Sequence, residues 1–231
     1  LRYFTGLGYV YDTENLRNRN NKRYNLNLNI SSDLTDWLTL RSSVKYIQKT
    51  REINGGTPSM NNVLIVPCTF VAKQSNGEWG SVDAGNEASG TFAGGNPLRA
   101  YDTNNWNQSK RENTMYDLAF DLKPLKGLVI TGQGVYKLME SKSKNYNALV
   151  DDVPSFLKPG TTIKGTGNTL NSMSMSWESD SWLTYTGTAN YSWTNQVHSF
   201  STLAGISYEH YKYEMLGASR ENFPADTFTD M

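Results

Sequence analysis

Two carboxylate pairs, Asp151 with Asp152 and Glu178 with Asp180, are the side chains of this sequence best suited to acid–base chemistry. A glycosidase places such a pair on either side of the scissile bond, but both pairs fall in a polar stretch where a solvated acidic loop is the ordinary reading. His198 and His210 share one strand parity, yet the strand between them sets them roughly 40 Å apart at ~3.3 Å per residue, too far to share a metal. Asp102, Asn104 and Asn107 make a loose set of oxygen ligands without the acidic density or closing glutamate of an EF-hand loop. The sequence has no Gly-x-Ser-x-Gly elbow, no His-Glu-x-x-His and no phosphate-cradling glycine loop entering a helix. No catalytic residue, metal site or cofactor is expected. Trp79, Tyr101 and Trp106 are rings in a polar stretch, where a ring stacks on a sugar or packs against a neighbouring loop or partner. With Arg41 on a polar strand face, they are the candidate substrate contacts.

Composition narrows the class. Among 231 residues, 22 are Lys or Arg and 22 are Asp or Glu, so a neutral chain offers no electrostatic footprint for a nucleic-acid backbone. A lone Cys68 forms no internal disulfide and is too little for a structural zinc site. The longest apolar run, residues 63–66, is closed by Pro67 and falls far short of the ~18 to 20 residues of a membrane helix. Aromatics at 12% are too many for a disordered chain, while hydrophobic residues at 37% imply elements with one wet side. The start, Leu1-Arg2-Tyr3-Phe4, has no initiator Met, charged n-region or apolar h-region, which leads us to expect that processing or truncation has removed the true beginning.

The elements that position these residues read as strands. Tyr24, Leu26, Leu28 and Ile30 alternate with Asn25, Asn27 and Asn29, a period of two with no competing helical period. After a turn at 31–36, Leu38, Leu40, Val44 and Tyr46 share one face, and Thr39, Arg41, Ser43 and Lys45 the other. A second hairpin sets Tyr116, Leu118, Phe120 and Leu122 beside Leu128, Ile130, Gly132, Gly134 and Tyr136, turning at 123–127 through Pro124 and Gly127. A third joins Leu183, Tyr185, Ala189, Tyr191 and Trp193 to Phe200, Ala204, Ile206 and Tyr208 across a turn at 194–197. With a strand at 3–11, seven strands are predicted and no convincing helix. Long connections at about 50–112 and 141–180 alternate with the tight turns, so one end carries large loops.

Alternation alone does not separate a soluble sheet from a membrane barrel. The aromatics are more informative. The apolar residue nearest the long-loop end is tyrosine in successive strands: Tyr24, Tyr46, Tyr116, Tyr136, Tyr185 and Tyr208. Trp193 and Phe200 bracket the other end, and the eight steps between the two levels span roughly 20 Å once a strand tilt of ~40° is included. Tyrosine suits a lipid boundary because its ring is apolar and its hydroxyl reaches the headgroups. This pattern predicts lipid contact for Tyr24, Leu26, Leu28, Ile30, Leu118 and Phe120, with Asn25, Asn27, Asn29, Thr184, Thr186, Thr188 and Asn190 facing a hydrated lumen. Ordinary packing of strand-forming aromatics in a soluble secreted sugar-binding or adhesin sheet is the alternative, and a solvated sheet face explains the asparagines equally well.

Laid out this way, the chain resembles the SusC/RagA family of TonB-linked outer-membrane transporters of Bacteroidota. The resemblance rests on Leu7-Gly8-Tyr9, the run from Lys22 and Arg23 through Tyr24 to Asn29, Thr35-Asp36-Trp37-Leu38, and Gly95-Asn96-Pro97-Leu98. It continues in His198-Ser199-Phe200-Ser201, Leu203-Ala204-Gly205, Tyr208 and Asn222-Phe223-Pro224-Ala225-Asp226. It implies an all-β fold, an antiparallel transmembrane β-barrel segment of about seven strands from a barrel of 22. It further implies uptake of glycan or peptide nutrients, a SusD-like surface lipoprotein partner and energy from TonB. The long loops would lie outside the cell and the short turns in the periplasm. No plug domain, TonB box or terminal barrel strand is recognised and the sequence stops at Thr229-Asp230-Met231, so residues 1–231 are expected to be part of one larger barrel domain.

Overall fold

In a computed structural model of the chain, the apolar–polar alternation becomes a single seven-stranded antiparallel sheet. Its strands are β1 (Arg2–Thr13), β2 (Arg19–Thr35), β3 (Leu38–Asn54), β4 (Trp106–Leu125), β5 (Leu128–Asn147), β8 (Ser172–Thr194) and β9 (Ser199–Glu221), paired in chain order with β1 and β9 at the edges. The first long connection holds two short helices, α1 (Met60–Ile65) and α2 (Pro97–Tyr101), and the second holds a two-residue ladder of β6 (Val153–Pro154) with β7 (Thr162–Ile163). The structure describes residues 1–58, 60–65, 71–73, 75–77, 79–80, 96–150, 153–154, 162–163 and 170–224. Cys68, the pair Asp151 and Asp152, Gly95 and residues 225–231 lie outside these.

The two helices correct the expectation of none. Each is too short to show a 3.6-residue period, but α2 has a local cause: Asn96 caps it, accepting from the backbone N–H groups of Leu98 and Arg99, and Pro97 occupies the first turn, where its missing N–H costs nothing.

The strands also run well past the alternation that revealed them. β8 and β9 have 23 residues each and β4 and β5 have 20, against the ~9 to 11 that cross a membrane. Glu178 and Asp180 therefore stand on β8 and not in a loop, and the long connections shrink to 55–105 and 148–171. Beyond the tyrosines, both faces turn polar: Lys22 pairs with Glu52 and Lys110 with Glu112 on the face that was apolar below. The ladder continues although the hydrophobic signal stops.

At the other end the hairpins close tightly. Gly127 has φ of 86°, a conformation that L side chains rarely adopt, and a Cβ there would stand 2.2 Å from the Ser192 carbonyl oxygen. Pro124 sits inside the register shift between Leu122 and Leu125, where its lack of an N–H breaks no regular ladder bond.

Pairing puts the predicted apolar residues on one face. Leu28 stands opposite Val44, Ile30 opposite Ser42, Ser42 opposite Leu118, and Phe120 opposite both Leu40 and Gly132. Among the described residues no second layer covers this face: Leu7 is 82% exposed, Ile206 79% and Leu118 54%. Tyr9 pairs with Tyr24, Tyr116 with Tyr136, and Tyr185 with Tyr208. Between these pairs the tyrosine level slips by two residues at a time. Tyr46 faces Leu26, Tyr116 faces Val44, and Tyr185 faces Gly134. Three slips of two residues over the six junctions of the seven-stranded sheet average one residue per junction. With ~3.3 Å per residue and ~4.8 Å between strands, a level ring of tyrosines then requires a tilt of about 35°, within the range of barrel walls.

The buried apolar cluster lies elsewhere, at the long-loop end of the sheet. Tyr146, Ala148, Met173 and Phe223 pack together with Trp106 and Met175 against them. Asn171, 2% exposed, fastens this cluster: its side-chain oxygen accepts from the Phe223 N–H at 2.6 Å, and its amide donates to the Phe223 carbonyl at 3.0 Å. Asn171→Ala strips both partners from a buried peptide group and should cost about 1–3 kcal/mol. The expected result is loss of amide protection at 222–223 in hydrogen exchange, while protection in the centre of β4 and β5 is unchanged.

Candidate functional site

Polar residues of alternate parity line the opposite face, and they hold one another across strands. Arg41 on β3 donates to Asp121 on β4 at 2.9 Å, and Asp121 also accepts from Thr131 on β5 at 2.8 Å. One step further from the turns, Gln133 donates to both carboxylate oxygens of Asp117 at 3.0 and 3.1 Å. Arg41, Asp117 and Gln133 border a hollow of 370 Å³ together with Asn29, Ser31 and Ser43. The Arg41 side chain is 50% exposed, so its ion pair contributes no more than ~1 kcal/mol and leaves the guanidinium able to meet a solute.

A second group lies across β5, β8 and β9 on the same face. The Trp182 and Tyr211 rings are 5.2 Å apart, the Lys137 ammonium sits 4.5 Å from the Trp182 ring centre, and the Tyr211 hydroxyl donates to Asp180 at 2.5 Å. A ring pair with a cation and a carboxylate offers an apolar plane with polar edges, suited to a sugar ring or a peptide side chain. Sequence reasoning did not single out this group. Extending the parity of Leu183 and Tyr208 by one and three residues assigns Trp182 and Tyr211 to the polar face, a signal that was present but lay outside the readable alternation.

The candidate aromatics do not gather into one site with Arg41. Trp106 begins β4 opposite Tyr146, the rings stacked 6.1 Å apart, and its parity puts it on the apolar face. It packs in the cluster around Tyr146. Trp79 forms a bridge with Lys73, whose ammonium is 4.7 Å from its ring centre. Tyr101 ends α2, and its carbonyl lies so close to Gly55 that a Cβ there would stand 2.3 Å away. Asn96 ties these loop pieces together, its amide donating to the carbonyls of Ala72 at 2.6 Å and Gly80 at 3.1 Å. Asp102 caps α2 through its backbone, and Asn107 meets Asn145 across the β4–β5 ladder at 3.5 Å. Among the described residues, no group of three or more His, Cys, Asp or Glu side chains is placed to hold a metal.

One ion cluster fixes how the long-loop end is built. Glu14, in the connection 14–18, accepts two bonds from Arg51, at 2.7 and 3.0 Å, one from Asn21 at 3.2 Å and one from Arg19 at 3.4 Å. Arg19 in turn donates to Thr57, tying the first long loop to the wall. The hydrogen bond from Arg51 is the main cause that holds the Glu14 carboxyl at about 2 instead of the ordinary 4.5, against a smaller opposing effect of burial.

Compared with protein-family models and with curated proteins, the sequence matches none. Among solved structures the fold has clear neighbours. The chain is similar to a chain of the RagAB peptide importer in its closed-closed state, with 20% identity and a TM-score of 0.73 over 98% of this chain and 24% of that one. Similarity to a chain of the RagAB peptide transporter is 19% in identity with a TM-score of 0.73, at the same coverages of 98% and 24%. The open-open state of the importer gives 21% and 0.69, again over 98% of this chain and 24% of that one. The likeness is one of fold: the seven-stranded sheet is a segment of a barrel wall, open at β1 and β9, as the resemblance to the SusC/RagA family predicts. This chain spans about a quarter of the length of these neighbours.

A carboxyl held low stabilises the fold fully above its unfolded value of 4.5, and that contribution is lost as pH falls through about 2. Amide protection factors in 14–18 should drop between pH 4.5 and about 2 in the native protein. Glu14→Gln, lacking the titrating group, should show weaker protection at neutral pH and no such fall; an unchanged profile contradicts this role.

Proposed function

We propose that this chain is a wall segment of a TonB-dependent outer-membrane importer. The observation that carries the proposal is the uncovered apolar face, bounded by tyrosines whose average slip of one residue per junction matches a tilted barrel in a bilayer. A soluble sheet would hide such a face, since exposed apolar patches of this extent mark a lipid or protein contact. The fold likeness to a peptide importer supports transport.

In this reading Tyr24, Leu26, Leu28, Ile30, Leu118 and Phe120 face outer-membrane lipid, and Asn25, Asn27 and Asn29 face the lumen. Strand edges bare of partners do not persist in hydrocarbon, so β1 and β9 are continued by further strands of the same barrel. A plug domain outside this chain receives energy from TonB, and a SusD-like lipoprotein caps the loops. Solutes pass along the polar wall, where the Trp182–Tyr211 rings and Arg41 give transient contacts, each weak enough to release. Peptides are the first substrate class to test because the similar structures are peptide importers; oligosaccharides are the second. Of the loop aromatics, Trp79 and Tyr101 keep a place in this reading as contacts at the outer mouth.

Arginine at a lipid-facing midplane costs ~2 to 4 kcal/mol, whereas at a lumen position it stays hydrated. Leu28→Arg should therefore reduce heat-modifiable folded barrel in outer-membrane fractions of the full-length protein far more than Asn27→Arg. Equal yields from these sequence neighbours, or a worse result for Asn27→Arg, contradict the assignment of faces.

A further inference from the structure

Arg23 on β2, Lys49 on β3 and Arg111 on β4 form a single cross-strand row: Arg23 is the direct partner of Lys49, and Lys49 of Arg111. Their parity is that of Asn25 and Arg41, so the row lies on the polar face. Direct partners in a ladder stand about 4.5–5.5 Å apart at the backbone, and like charges so placed work against pairing. Several neighbouring cations are offset by carboxylates: Arg41 by Asp121, Arg51 and Arg19 by Glu14, Lys22 by Glu52, and Lys110 by Glu112. Within the row, Arg23 donates to the neutral Asn25 at 2.7 Å, and among the described residues no carboxylate lies within ion-pair distance of any of the three. All three side chains are exposed. They line a hollow of 500 Å³ with Arg51, Ser109 and Asp12. Of the two acids nearby, Glu14 is already engaged by Arg51, and Asp12 leaves the hollow with an excess of positive charge. The next acid along the row, Glu178, is separated from Arg111 by Ser141.

We infer that this row is a binding site for carboxylate groups on the transported solute. Two guanidinium groups flanking an ammonium present several N–H donors to one side of the sheet, and a guanidinium accepts a carboxylate through two parallel hydrogen bonds. The row stands on the loop side of the tyrosine ring, one residue beyond Tyr24 on β2 and three beyond Tyr46 on β3, where a solute entering between the loops first meets the wall. Acidic peptides and uronate-bearing oligosaccharides share this chemistry. The inference rests on the importer reading, which places this face toward the lumen.

The test uses the purified full-length protein and fluorescent tetraglutamate, with tetraglutamine as the neutral reference, and in a second arm tetragalacturonate against its methyl ester. At low salt, about 50 mM, the native protein should bind at least one acidic probe about tenfold more tightly than its neutral counterpart, and ~0.5 M salt should abolish the preference. Arg23→Gln/Lys49→Gln/Arg111→Gln should remove it, Arg23→Lys/Arg111→Lys should keep most of it, and Lys142→Gln/Lys144→Gln, on the opposite face of β5 and outside this hollow, should leave it intact. Preference for tetraglutamate identifies a peptide as the source of the carboxylate, and preference for tetragalacturonate identifies a glycan. Native protein that shows no preference in either arm, or a triple Gln variant that retains it, overturns the inference. Fractionation of the same protein separates the two levels: a protein found in the outer membrane without any preference refutes the site alone, whereas a protein absent from membranes refutes the importer reading.

Discussion

In hydrocarbon a backbone amide has no partner but another strand, and the proposed place of this sheet in a membrane rests on that constraint. Its ladders run from the long-loop end to the tight turns with register shifts only at Asp33/Thr35 and Leu122/Leu125, both beside a turn. A ladder so continuous locks register, and register locks the faces, because slipping one residue would exchange every Leu28 for an Asn27. The same register sets the tilt. Tyrosines whose level slips by an average of one residue per junction give the tilt of a barrel wall, and under the proposed function that tilt makes the ring level with a bilayer.

The part of this architecture legible in the sequence is the part where one face is dry. Tyr24 to Ile30 in β2 and Leu118 with Phe120 in β4 alternate cleanly because their neighbours are polar. Just outside that band the alternation disappears. Lys22 beside Arg23, and Lys110 beside Arg111, place cations on opposite faces of one strand, so composition there resembles a loop while the backbone stays in the ladder. The same loss of contrast hid the location of Glu178 and Asp180 on β8 and left Trp182 and Tyr211 unassigned as a ring pair. Helices α1 and α2 were out of reach for a different reason, their few residues completing too little of a helical period.

Candidate site residues divided along similar lines. Arg41 was placed by alternation and has the expected polar setting. In the sequence Trp106 has the surroundings of a loop aromatic, but its packing is decided by Tyr146, Met173 and Phe223, which come from three other places in the chain. Asparagine side chains do comparable long-range work: Asn171 clasps Phe223, Asn96 gathers Ala72 and Gly80, and the Asn105 side chain accepts from the Ala148 backbone at 2.7 Å. Such side-chain-to-backbone bonds order loops whose residues lack periodicity, and a single sequence does not say which asparagine meets which peptide. Charge is distributed with the same economy, paired on the face beyond the tyrosines and left open on part of the polar face.

The central claim is that adjacent residues of β2 meet different solvents. Nitroxide labels at Leu28→Cys and Asn27→Cys, each in a Cys68→Ser background of the full-length protein reconstituted in lipid, report this directly through collisions with oxygen and with a water-soluble nickel complex. The account predicts that the label at position 28 is relaxed by oxygen and shielded from nickel, while the label at position 27 shows the reverse. Equal accessibility at the two positions, or nickel access greater at 28 than at 27, would contradict a barrel wall with this face toward lipid.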